Sequence, residues 1–260
     1  MNGLRPVVEI MFSSFALVAG DQLFNQAGQL GYIYGGRARV PLIARTRVAI
    51  GLGYGAQHSL DPAALFSLFP GWRVFAPANA SDYIGLFNTA MACESPTLII
   101  EHQALYGMKF AVPQGAPDHL VPEGQGAIVR AGRHVTLVSY SFMVSQCMAA
   151  AHALQSEGID AEVIDLRTLD AAGTDYELIG KSLSRTGALV IAEQAPACGS
   201  IGPRIASECQ RRFFDSFDGP PGFVAGPDVP LPVSRRMEKA CIPTVADIVS
   251  AVRIAAQSRR

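Results

Sequence analysis

The chain has 260 residues, 49% of them hydrophobic and 17% charged, with a formal net charge of −1. A chain of this size and apolar content can bury one large core or two ordinary ones, which excludes bulk disorder. The near-neutral balance and the lack of a long basic run leave no electrostatic footprint for nucleic acid, so no nucleic-acid partner is expected. Five cysteines, Cys93, Cys147, Cys198, Cys209 and Cys241, are odd in number, widely spaced and without a CxxC pair. That pattern argues against a disulfide framework or a zinc site and predicts a reducing, cytoplasmic setting. The first residues lack the basic and long apolar regions of a signal peptide. No apolar run approaches the ~20 residues that span a bilayer, and no membrane association is expected.

In chain order, strand and helix signals alternate. Residues Pro6 to Met11 read as a buried strand, and Ala16 to Leu30, with Leu17, Phe24, Ala27 and Leu30 at near-helical spacing, as a helix ending before Gly31, Gly35 and Gly36. Val40 to Ala44 is a second strand, and Asp61-Pro62 opens a short helix with an acidic cap and Pro in its first turn. Trp72 to Ala76 reads as a strand, Ser81-Asp82 through Ala92 as a helix, and Thr97 to Glu101 as a fourth strand. Residues 111–127 are rich in Pro and Gly and form the linker candidate. A second series follows: strand Val135–Tyr140, helix Met143–Glu157, strand Ala161–Leu166, helix Tyr176–Ser184, strand Ala188–Ala192, helix Gly202–Phe213 and a last helix, Val245–Ala256. Such alternation implies mostly parallel sheets covered on both faces, hence two α/β domains.

Between the second strand and the short helix lies Gly51-Leu52-Gly53-Tyr54-Gly55-Ala56-Gln57-His58-Ser59. Three alternating glycines permit positive φ or a close backbone approach, and they deliver a histidine at the end of a loop. An unperturbed pKa of roughly 6.5 lets that side chain give and take a proton near neutrality. A Gly-rich loop after a strand places His58 near the carboxyl end of the sheet, where open α/β folds bind ligands.

Several separated motifs then fall in one order: Gly3-Leu4-Arg5-Pro6-Val7-Val8-Glu9-Ile10; Asp21-Gln22; Ala56-Gln57-His58-Ser59; Glu101 with Leu105-Tyr106-Gly107; Ala161 to Leu169; and Gly226-Pro227-Asp228-Val229-Pro230-Leu231-Pro232. Together they resemble the β subunit of the thiamine-diphosphate-dependent E1 component of 2-oxo acid dehydrogenase complexes, of pyruvate, acetoin and branched-chain type. The resemblance covers essentially the whole chain. It implies a transketolase-like pyrimidine-binding domain over residues 1–112, a linker over 113–127 and a transketolase C-terminal domain over 128–260.

The resemblance also implies an α2β2 heterotetramer. An E1 α subunit would hold the diphosphate and its Mg2+ through a Gly-Asp-Gly motif with a downstream Asn, which does not occur here. This chain would supply the pyrimidine side, with Phe15 stacking on the ring, Met11 close to it, His58 facing the reactive thiazolium carbon, and Gln57 and Ser59 orienting His58. The implied reaction is attack of the cofactor ylid on a small 2-oxo acid, pyruvate foremost, loss of CO2, and transfer of the acyl unit to lipoamide on the E2 acyltransferase. By the same analogy, backbone carbonyls of Leu42, Ala90, Met91, Cys93 and Ser95 would hold a monovalent cation such as K+. Cys93, with no nearby histidine, reads as a small core residue rather than a thiolate. Gly226 to Pro232 and the final helix resemble the region that docks E2 and the second β subunit.

One departure stands out. The family's glutamate that bonds the aminopyrimidine lies upstream of the Gly-Leu-Arg-Pro stretch, and no residue here matches it; Glu9 is not given its role. A truncated gene model, a site completed by another polypeptide, and a chain that keeps the fold without full catalysis are the three expectations. Two other functions remain beside the dehydrogenase reading: a catalytically incomplete transketolase-like assembly subunit, and half of another thiamine-diphosphate enzyme.

Overall fold

The computed structural model describes residues 3–112 and 114–257. Pro113, where the expected linker begins, lies outside them, as do the outermost residues of both expected domains. The chain divides into two compact units, each built on its own sheet. The first contains Met1–Gln125 together with two later returns, Arg167–Thr174 and Pro230–Glu238. The second contains Gly126–Leu166, Asp175–Val229 and Lys239–Arg260.

The first unit opens with β1 (Val7–Ile10), followed by a 3-10 turn (Ser13–Leu17), a π-helical segment (Asp21–Ala27) and the short α1 (Leu30–Ile33). The single helix expected over residues 16–30 is therefore broken. Turns of different pitch rotate successive residues by different angles, so Leu17 is exposed while Phe24 and Ala27 are buried, and they do not share a stripe. Then come β2 (Ile43–Val48), α2 (Ala63–Ser67), β3 (Arg73–Phe75), α3 (Ala80–Ala92) and β4 (Thr97–His102). β2 starts three residues later than the sequence suggests. It is bonded on both sides, by β1 and by β4, and Pro41 has no N–H to give to such a ladder. The sheet order is β1-β2-β4-β3, parallel throughout. One face packs on α3 through Ile43, Phe75, Leu86, Ala90, Ile99 and Val121. Asn79 caps α3, its side chain accepting from the Asp82 N–H at 2.9 Å.

The second unit has the order β5-β7-β6-β8-β9. Its elements are β5 (Ala127–Arg130), β6 (Val135–Ser139), α4 (Phe142–Gln155), β7 (Ala161–Asp165), α5 (Tyr176–Thr186), β8 (Leu189–Pro196), α6 (Gly202–Phe213) and β9 (Gly222–Gly226). The central strands β6, β7 and β8 are almost wholly buried, which is why they read as continuous apolar runs. The edge strands β5 and β9 escape the sequence reading. β5 pairs antiparallel with β7 across a bulge, and β9 is short and bounded by glycines. α7 (Arg235–Glu238) belongs to the first unit and α8 (Val245–Gln257) to the second.

By length and composition Arg235–Gln257 could cross a membrane, contrary to the sequence expectation. The stretch is divided into α7, a 3-10 turn at Lys239–Cys241 and the 13-residue α8. At 1.5 Å per residue α8 spans about 20 Å, short of the ~30 Å bilayer core. It buries Ile248, Val249, Val252 and Ala255, as a helix laid on a sheet does.

Candidate active site

After Val48 ends β2, the chain makes a closed excursion. The Ala49 N–H donates to the carbonyl of His58 at 3.3 Å, so the loop returns His58 to the carboxyl end of its strand. The glycines make the path possible: Gly51, Gly53 and Gly55 have φ of 87°, 79° and 74°. Gly55, at ψ −178°, lies in a region open essentially to glycine alone. It leads into the 3-10 turn Ala56–His58, closed by the His58 N–H donating to the Gly55 carbonyl at 3.2 Å.

Three aromatic rings from two stretches surround the half-buried imidazole of His58. Phe12 stands edge-on with centroids 4.2 Å apart, Phe15 is edge-on at 5.6 Å, and Tyr54 is stacked at 6.2 Å. Phe12 is buried, and the guanidinium of Arg47 lies over its ring at 4.0 Å. The stretch carrying Phe12 and Phe15 is tied down by Ser13, whose buried hydroxyl donates to the Leu60 carbonyl just beyond the His58 loop.

Of the expected site residues, Phe15 comes together with His58, and the others divide. Phe15 is 38% exposed beside the imidazole, which leaves apolar surface uncovered at the site, and Met11, next to Phe12 in the chain, is 57% exposed. Gln57 is exposed. Ser59 is buried, but neither its hydroxyl nor His58 Nδ1 has a hydrogen-bond partner. The orienting role expected of Ser59 is therefore not carried by a hydrogen bond; rings, not hydroxyls, set the plane of the imidazole. The sequence singles out no site role for Phe12, Tyr54 or Arg47. Phe12 looks like the apolar end of a strand, and Arg47 like a charge on one.

The unpartnered Nδ1 matters chemically. A buried polar atom without a partner costs about 1–3 kcal/mol, a cost that a ligand with a hydrogen-bonding edge would offset. With the exposed ring of Phe15 alongside, these residues fit a flat heteroaromatic group with polar substituents, the character of an aminopyrimidine.

Beside this cluster, the sheet carries a second charged assembly. Glu101 on β4 accepts from Arg45 Nε at 2.7 Å and Nη2 at 3.1 Å, from Tyr83 Oη at 2.8 Å and from Tyr106 Oη at 2.6 Å. Burial raises the carboxyl's pKa, but Arg45 and the two hydroxyls outweigh burial and hold it below its usual value. Burial, and then Glu101 itself, push both tyrosines above their usual value. Arg45, Arg47, Glu101 and Tyr106 line a cavity of about 500 Å³.

The five carbonyls expected to hold a cation gather where α3 ends and β2 and β4 begin. Leu42 O accepts from the Thr97 N–H at 2.8 Å, Ala90 O from the Cys93 N–H at 3.2 Å, and Ser95 O from Thr97 Oγ1 at 3.4 Å. Met91 lies in the last turn of α3, and Cys93 O accepts from Arg5 Nη1 at 2.6 Å. Burial raises the Cys93 thiol, with the Glu123 carboxylate adding to the effect, so a thiolate is disfavoured there. Among the described residues no group of three or more His, Cys, Asp or Glu side chains could hold a metal.

Comparison with known proteins gives this arrangement a family. Residues 1–109 match the transketolase pyrimidine binding domain, and residues 124–248 the transketolase C-terminal domain. The pyruvate dehydrogenase E1 component subunit beta of Rickettsia felis is 39% identical over 96% of this chain and 76% of its own length. That of Rhizobium meliloti is 38% identical over 97% of this chain and 54% of its own. The acetoin:2,6-dichlorophenolindophenol oxidoreductase subunit beta of Cupriavidus necator is 37% identical over 96% and 73%. Among solved structures, a split-gene transketolase described as an inactive β4 tetramer superposes with a TM-score of 0.80, at 25% identity over 99% of this chain and 78% of the other. A transketolase of Pichia stipitis shares the fold at a TM-score of 0.70, with 34% of that chain covered. The chain therefore belongs to the transketolase-like family of β subunits of thiamine-diphosphate-dependent 2-oxo acid dehydrogenase E1 components.

Proposed function

We propose that this chain forms the pyrimidine-side half of an E1 active site that decarboxylates a 2-oxo acid, pyruvate foremost, and passes the acyl group to lipoamide on an E2 acyltransferase. The observation that carries the reading is His58: a half-buried imidazole at the end of β2, wedged among Phe12, Phe15 and Tyr54, with Nδ1 free of any protein partner. Thiamine diphosphate, held at its diphosphate end with Mg2+ by an E1 α subunit, supplies the carbanion-stabilising chemistry when bound.

The chain's own residues do the rest. Phe15 and Met11 offer an apolar platform for a flat ring, and the close-set Phe12 keeps the imidazole from turning away. His58 then holds or moves a proton at a fixed place, on the scale of ~10²–10⁴ in rate that positioned acid–base groups contribute. The working unit in this reading is a cytoplasmic α2β2 assembly. A monovalent cation on the carbonyls of Leu42, Ala90, Met91, Cys93 and Ser95 would share the Cys93 oxygen with Arg5.

The test is reconstitution of the chain with an E1 α subunit and a lipoyl domain. CO2 release from pyruvate that requires both chains and thiamine diphosphate, with acylation of the lipoyl domain, is the expected result. Binding of the α subunit without turnover of any 2-oxo acid would point instead to an assembly role.

A further inference from the structure

The loop that carries His58 is closed by a residue almost two hundred positions away. Glu238, the last residue of α7, is fully buried. Its Oε1 accepts from the Gly51 N–H at 2.9 Å and its Oε2 from the Gly53 N–H at 2.6 Å. Alternate amides of a positive-φ loop thus converge on one carboxylate, an anion-binding concavity whose anion the protein itself provides. The fit continues along the same return. A Cβ on Gly53 would lie 2.8 Å from Arg235 Cγ, and one on Gly55 2.6 Å from Val233 Cγ1, so Val233 and Arg235 occupy the space these glycines leave. Charge-assisted bonds to a buried carboxylate are stronger than neutral ones, and their two-point geometry fixes orientation as well as distance.

We infer that Glu238 is a positioning residue for His58: by clamping Gly51 and Gly53 it sets where the following turn, Ala56–His58, presents the imidazole. The inference rests on the reading of His58 given above. Glu238 contributes no proton and meets no reacting atom; it acts only through the loop. The loop's own backbone bonds, Leu52 N–H to Ala49 O at 3.2 Å and His58 N–H to Gly55 O at 3.2 Å, close its two ends but not the glycine path between them, so without the clamp His58 loses register with Phe12 and Phe15.

Two measurements test this, one of them independent of turnover. In the full-length chain carrying 13C-labelled histidine, the His58 signal is identified by its loss in His58→Gln. It is expected to move or broaden in Glu238→Ala, and to a smaller extent in Glu238→Gln, which keeps one acceptor oxygen. His134 and His152, in the other unit, should keep their positions. A His58 signal unmoved in both variants overturns the assignment; should Glu238→Ala not fold, the isosteric Glu238→Gln decides.

In the reconstituted assembly, Glu238→Ala should lower kcat roughly tenfold to hundredfold, the scale of a small misplacement, with KM for the 2-oxo acid unchanged. Combined with His58→Ala it should cost nothing further. Additive losses would show that Glu238 acts elsewhere. If the wild-type assembly fails to turn over, the proposed function fails while the spectra still decide the role of Glu238.

Discussion

The ring of Phe12 meets the imidazole of His58 edge-on, at 4.2 Å between centroids and 65° between planes. Phe12 is itself covered by the Arg47 guanidinium. An imidazole so confined by an apolar edge keeps its plane without a hydrogen bond on Nδ1.

Removing the ring should separate stability from placement. Phe12→Ala at a site 5% exposed is expected to cost about 3–5 kcal/mol, as large-to-small core changes do. Phe12→Leu, which fills most of the volume, should cost much less while still loosening His58. Urea denaturation of the two variants measures the first effect. A histidine signal broadened in Phe12→Leu, with most of the stability retained, measures the second.

Gly55 should tolerate no side chain. Its backbone, at φ 74° and ψ −178°, carries about 1–3 kcal/mol of strain for any other residue, and the added methyl would press on Val233. Gly55→Ala is therefore expected to lower the unfolding free energy by at least that amount. Adding Val233→Ala relieves the clash but not the strain, so recovery should be partial; full recovery would mean the glycine is there for space alone.

Glu101 should govern part of the acid stability. Its folded pKa lies below its ordinary value of 4.5, so the unfolded chain binds the proton more readily. The resulting stabilisation is fully present above about pH 4.5 and is lost as pH falls through the lower folded value. Glu101→Gln is expected to destabilise the neutral protein by about 1–3 kcal/mol, through unmatched donors on Arg45, Tyr83 and Tyr106. The same variant should flatten the decline in stability below pH 4.5. Chemical denaturation at a series of pH values compares the two slopes.

Much of the architecture was legible because parallel strands buried on both faces spell themselves out: Thr97–His102 and Val135–Ser139 are wholly buried. The ends of the pattern were harder. Arg45 and Arg47 hide the length of β2, since one face of that strand carries the charged assembly around Glu101. Residues 13–33 mix three kinds of turn, which no single period describes. At the site, the glycines announced the loop, because positive φ has a residue signature, and His58 came with it. Phe12 and Glu238 left no local signal. Their roles are contacts made across the fold, one of them between residues 187 apart in sequence.

The most direct measurement is acylation of a lipoyl domain by the reconstituted assembly carrying His58→Ala. A loss of roughly 10²–10⁴-fold in rate, with the chain still folded and still joined to its α subunit, is the predicted result. Acyl transfer at the wild-type rate would contradict the role of His58, and with it the reading of this loop as the centre of the site.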